Sequence, residues 1–176
     1  MANEINIEID IFDFEKGSAK FNLLLEKYED AIQDAIEEIM YKAEQKLYEN
    51  LTNYGLMGSE LSSDCGVRQT GDYSFEVYAE SDHAMFVEFG TGIVGENNPH
   101  PDPKGWVYDT KGKGEEGWWY PTDNPYPGQR HFISDDGTLL AWTRGQEARP
   151  YMYDTYRYIR RIVTRTINKH LGRIKV

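Results

Sequence analysis

Apolar residues change their spacing several times along the chain, and each change marks an element. Ile5, Ile7, Ile9 and Ile11 alternate with Asn6, Glu8 and Asp10, a period of two that predicts a half-buried strand. Gly17 and Ser18 follow, with Ser18 placed to cap a helix. From there Phe21, Leu25, Tyr28, Ile32, Ile36, Ile39, Ala43, Leu47, Leu51 and Tyr54 fall at three- and four-residue steps. Glu26, Glu29, Asp30, Asp34, Glu37, Glu38 and Glu49 occupy the other face. The spacing predicts one amphipathic helix over 18–54, stopped by Gly55 and Gly58. At 1.5 Å per residue it spans about 55 Å. A compact domain of this size is only about 40 Å across. Such a helix must bend, end early or project, and projection leaves apolar positions in need of a partner.

Beyond the helix, Tyr73, Phe75, Val77 and Ala79 alternate with polar neighbours. Gly71–Asp72 joins them to 65–70 as a two-residue type II′ hairpin loop. A short helical turn is expected at 83–89, stopped by Gly90. Residues 91–148 form an insert rich in Gly, Pro, Trp and Tyr. Trp106–Tyr108, Trp118–Tyr120, His131–Ile133 and Leu139–Trp142 are its candidate short strands. Four Trp argue that the insert is ordered. Pro150 then opens a last helix whose apolar side is expected to be Met152, Tyr156, Ile159, Val163, Ile167, Leu171 and Ile174. Arg157, Arg161, Arg165, Lys169 and Arg173 recur at four-residue steps with Arg160 beside them, a basic stripe. The elements predict an α+β fold: a small antiparallel or mixed sheet, a long N-terminal helix, a C-terminal helix and an aromatic-rich insert, in a single domain over 1–176.

Charge changes this picture. The 176 residues carry a net charge of −11, but unevenly. Residues 1–64 hold fifteen acids and five bases, residues 65–148 fourteen and six, residues 149–176 one acid and eight bases. The total argues against a general nucleic-acid or anionic-membrane binder. The split asks what the basic end touches. One account is a solvated face paired with the acidic first helix; the other is an interface with an acidic neighbour. DNA contact at the stripe is the less favoured form of the second, since the acidic body repels a duplex. No apolar run approaches a membrane span, no secretory leader is visible, and the protein is expected to be intracellular when made. A lone cysteine, Cys65, allows neither an internal disulfide nor a cysteine metal cluster and reads as a small strand residue.

Catalytic chemistry finds little support. The histidines at 83, 100, 131 and 170 show no paired metal spacing; His100 with Asp102 is the best candidate and lacks a third ligand. Walker, dinucleotide and nucleophile-elbow motifs are missing, and Gly90-Thr91-Gly92 reads as a helix stop and turn. No cofactor or metal is expected, and no enzyme. The Trp/Tyr insert has three readings: satellite core, protein interface, or a stacking platform for sugar or single-stranded nucleic acid.

His83-Ala84-Met85-Phe86-Val87-Glu88-Phe89-Gly90-Thr91-Gly92 resembles the F/Y-V-E-F-G-T-G signature of the tail-component family of long-tailed (HK97-type) phages. Ala148-Arg149-Pro150-Tyr151-Met152-Tyr153 resembles the family's late P-F-M-like motif, with Tyr151 in place of Phe. Gly95, Pro99-His100-Pro101, Gly105-Trp106, Tyr108-Asp109 and Gly117-Trp118-Trp119-Tyr120 look like the insert of versions from Gram-positive hosts. The likeness covers about residues 20–172. In physical terms, Gly90 would end the short helix in left-handed geometry. Phe86, Val87 and Phe89 would anchor it to the sheet, Glu88 would face out or cap, and Thr91 and Gly92 would form the turn. Arg149, Pro150 and Met152 would set and begin the last helix.

The resemblance implies a structural virion protein of a phage or prophage, made in the bacterial host cytoplasm, that acts at the neck in tail completion and head–tail joining. Its expected partners are further copies of itself in a ring, sixfold like the tail tube, and neighbouring tail-terminator, tail-tube or head-completion proteins. Arg157, Arg160, Arg161, Arg165, Lys169, Trp118 and Trp119 are the candidate interface residues. The competing expectation is a cell-wall carbohydrate-binding module that uses the insert.

Overall fold

The computed structural model describes residues 14–109, 112 and 116–174, with side chains from residue 21 onward. The strand expected over 5–11 lies outside the described residues. Elements run α1 (Phe14–Asn53), α2 (Glu60–Ser63), β1 (Cys65–Gly71), β2 (Ser74–Ala79), α3 (Ala84–Phe89), α4 (Gly92–Asn97), β3 (Trp118–Pro121), β4 (His131–Ile133), β5 (Leu139–Thr143) and α5 (Tyr151–Leu171). The fold is α+β, built on two long helices and two small antiparallel sheets.

Helix α1 starts before Ser18 and runs through Gly17 and Ser18, so Ser18 is not its cap. A single mid-helix Gly costs only about 1 kcal/mol, too little to stop a helix this long. Helices α1 and α5 form the largest contact between elements. They run antiparallel: Asn50 of α1 meets Tyr151 and Thr155 at the start of α5, and Glu38 meets Lys169 and His170 at its end. Ala35, Ile36, Ile39, Ala43, Leu47 and Leu51 are buried along the α1 side of this seam. The α5 side departs from expectation. Its buried residues are Tyr151, Thr155, Ile162, Thr166 and His170, while Tyr156 is 54% exposed. Threonine is small enough for close helix approach, and the Thr155 hydroxyl is satisfied by the Tyr151 carbonyl at 2.7 Å and the Asn50 amide at 2.9 Å.

The β1–β2 hairpin lies against α1, with Cys65, Val77 and Ala79 turned to the core. Its loop is Asp72–Tyr73, one residue later than expected, because Gly71 pairs with Ser74. The turn needs no positive φ, so it is not type II′; an irregularity between Gln69 and Gly71 adjusts the register instead. In the insert, three of the four candidate strands form a sheet of order β3-β5-β4, and Trp106–Tyr108 does not. Helix α4 begins at Gly92, where a turn was expected.

The first turns of α1 outrun the rest. Where the end of α5 and the chain after it meet α1, His170, Arg173 and Ile174 face Lys27, Asp30, Ala31 and Asp34 across a shallow cavity. Residues 14–26 extend about 20 Å further at helical rise. Phe21, Leu25 and Tyr28, expected on the apolar face, are 59%, 45% and 37% exposed.

Candidate functional site

The two motif strings, sixty residues apart, close into one joint. The Arg149 amide donates to the Val87 carbonyl at 2.9 Å, and Thr91 and Gln146 form an antiparallel bridge. Gly145 has φ +105°, and a Cβ there would overlap the Thr91 carbonyl, so only glycine allows this approach. Gly90 ends α3 with φ 79° and ψ 172°, a positive φ with extended ψ in place of the left-handed helical geometry expected.

Glu88 is the centre of the joint. Its side chain is buried and accepts hydrogen bonds from the Met152 amide at 3.0 Å and the Tyr153 amide at 2.9 Å. Those are unsatisfied N–H groups of the first turn of α5, so a carboxylate from α3 caps a helix distant in sequence. Pro150 precedes this turn and donates nothing itself. His100, also buried, completes the set. Its Nδ1 accepts from the Asp102 amide at 2.9 Å, which leaves Nε2 to donate to Glu88 at 3.2 Å. Burial pushes the Glu88 carboxyl above its ordinary range, against the pull of the two amides and His100. The His100–Asp102 pairing is thus a side chain on a backbone amide, and among the described residues no group of His, Cys, Asp or Glu has metal-binding geometry.

Phe86 and Phe89 turn toward the insert and not toward the sheet. Phe89 packs between the rings of His100 at 4.3 Å and Trp106 at 5.0 Å, and Phe86 meets Trp106 edge-on at 6.0 Å. The Trp106 indole N–H donates to the Gly90 carbonyl at 3.0 Å. Val87 does pack on the main core, and Met152 beside it.

The basic stripe divides. Lys169 bonds Glu38 at 2.7 Å, together with His170 at 2.7 Å and Lys42 at 2.5 Å. Lys169, then Lys42 and His170, hold the Glu38 carboxyl well below the usual carboxylate range. This is the intramolecular pairing of acidic and basic helices. Arg157, Arg160, Arg161 and Arg165 stay exposed and reach no carboxylate among the described residues. Arg157 and Arg160 lie over the Tyr153 and Tyr156 rings, both at 5.7 Å.

Between β2, α3 and α5 runs an open groove of about 700 Å³, lined by Phe75, Val77, Met85, Met152, Tyr156 and Ile159 among others, with Glu88 and His100 below. Tyr153 and Tyr156 in its lining carry Arg157 and Arg160. In the insert, adjacent Trp118 and Trp119 point to opposite faces of the sheet. Trp118 packs toward Gly92. Trp119 is 41% exposed and meets Phe132 edge-on at 4.8 Å, while Arg130 lies over Trp119 and Trp142.

Sequence reasoning missed the roles of Asn50 and His100 and the burial of Glu88. A signal existed for Glu88 alone: an acid among apolar residues on a short helix, next to a glycine-rich turn. Among the described residues, no helix is long and apolar enough to cross a membrane. Comparisons of the chain with protein-family models, curated proteins and solved structures gave no match.

Proposed function

We propose that the protein is a structural subunit of a long-tailed phage or prophage virion, acting at the neck in tail completion and head–tail joining. It assembles there as a ring, sixfold like the tail tube, against tail-terminator, tail-tube or head-completion proteins, after synthesis in the host cytoplasm. The observation that carries this reading is the joint: in the tail-component signature Glu88 accepts from Met152 and Tyr153 of the late motif and the Val87 carbonyl from Arg149, while Gly90 lies against Ala148 and Thr91 pairs with Gln146 just before that motif. They hold a scaffold, which suits a part in an assembly. The exposed Arg157, Arg160, Arg161 and Arg165 supply charge for a neighbouring acidic face, with DNA again the less favoured occupant. Reversing Arg157 and Arg161 together to Glu should abolish tail joining while leaving the fold intact. Tails that join heads normally at physiological salt would overturn the reading.

A second reading, cell-wall carbohydrate binding, is favoured by the Trp119–Phe132 face of the insert sheet. It expects binding to host wall glycans that is lost on Trp119→Ala. An absence of binding to host wall by the unmodified protein sinks it.

A further inference from the structure

We infer that the projecting start of α1 docks into the groove between β2 and α5 of a second copy. The inference rests on the reading of the protein as an assembling subunit, but not on the virion. Phe21, Leu24, Leu25 and Tyr28 stand at i, i+3, i+4 and i+7, the spacing by which an amphipathic helix seats in an apolar groove. Phe21 and Leu25 are well exposed, Tyr28 at the root of the projection less so, and Leu24 is half-buried. On the flank of that face stand Glu29 and then Glu26, whose carboxylates pair with no described residue.

The groove offers the complement. Its floor is apolar, through Phe75, Val77, Met85, Met152 and Ile159. Its α5 side carries Arg157 and Arg160, which lack acid partners. Charge and apolar surface therefore match between two parts of one molecule that cannot meet within it. The groove lies at the first half of α5, whereas α1 projects past the last turn, beyond Arg173 and Ile174. A straight helix cannot turn back over that length, so the occupant is another copy. Donor and acceptor surfaces at opposite ends make a head-to-tail contact, which closes into a ring or runs on as a filament.

Crosslinking tests this in the full-length chain. Leu25→Cys and Met85→Cys, both at exposed positions, are prepared as single variants and as a double variant; native Cys65 is buried. With a flexible bis-maleimide, a mixture of the single variants should give the Leu25–Met85 heterodimer, and the double variant a ladder of oligomers. Phe21→Asp with Leu25→Asp should weaken association, read by sedimentation, at least about tenfold. Its melting should match the parent, because both side chains are already in solvent. Only Leu25–Leu25 dimers, only closure within one chain, or no crosslink at all would each overturn the inference. So would undiminished association of Phe21→Asp/Leu25→Asp. If association is lost but tails still join heads, the interface stands and the virion reading fails.

Discussion

Glu88 and Glu38 each hold one end of α5, in opposite physical regimes. Glu88 sits inside the protein and satisfies backbone amides at the first turn, where the helix dipole also favours a negative charge. Its burial makes ionisation costly, so its carboxyl rises above the ordinary range. Glu38 sits at the surface beside the last turn, among Lys169, Lys42 and His170, and its carboxyl falls. One clamp is a set of directed hydrogen bonds in a dry place, the other a cluster of charges in a wet one. Geometry should govern the first and salt the second.

The largest effect is expected at the buried end. Glu88→Ala removes both amide acceptors and strands the His100 N–H, at a cost of about 3 kcal/mol in urea unfolding. A change under about 1 kcal/mol would show that the joint does not hold α5. Asn50→Ala, which frees the Tyr151 carbonyl and the Thr155 hydroxyl from their shared donor, should cost about 1–2 kcal/mol by the same measurement. Glu38→Gln should lower the melting midpoint less than either, and the difference from the parent should shrink in high salt. A salt-independent loss would place Glu38 in the same regime as Glu88.

Acid separates the two carboxylates by sign. Glu38 contributes stability that is present above the ordinary carboxylate pKa and is lost as pH falls toward its lowered value. Glu88, with a raised value, gives the reverse: the cost of burying its charge is relieved as pH falls from that value toward the ordinary one. Glu38→Gln should therefore flatten the acid side of the stability profile. Glu88→Gln should remove a slope of opposite sign at higher pH, and both are read from melts across a pH series. The smallest effect belongs to Tyr151→Phe. The Tyr151 hydroxyl is buried, and among the described residues the weakly bonding Cys65 thiol is the polar group that faces it, so removing the hydroxyl should be neutral or stabilise by up to about 1 kcal/mol. A clear loss of stability would mean that the hydroxyl has work to do there.

The packed length of α1 was legible because burial there follows hydrophobicity, and the period of Ile36, Ile39, Ala43, Leu47 and Leu51 reports it directly. The α5 seam was legible only in outline. Thr155, Thr166 and His170 are buried but polar, so the apolar side read from sequence is rotated away from the true one. Two of these groups are made tolerable by partners far along the chain, Thr155 by Asn50 and His170 by Glu38. Local spacing carries no trace of such partners. The same limit hid the joint, since Gly145 is a mere turn residue until Thr91 is placed against it. Arithmetic gave the projection of α1 as one of three outcomes, beside a bend and an earlier end, and the exposure of Phe21 and Leu25 on an unbroken helix selects it.

The Thr91–Gln146 bridge has a consequence for how the chain tolerates change. It brings the two roots of the insert together, so residues 93–144 leave and rejoin the body at nearly one point. The entropy of closing a loop grows only with the logarithm of its length, and doubling it costs about 0.6 kcal/mol. Once the roots are pinned, material can be added to or removed from the distal sheet, Trp118–Thr143, without a toll on the helices beneath. The body and the distal sheet are then free to diversify at different rates, one constrained by packing and the other by whatever it meets.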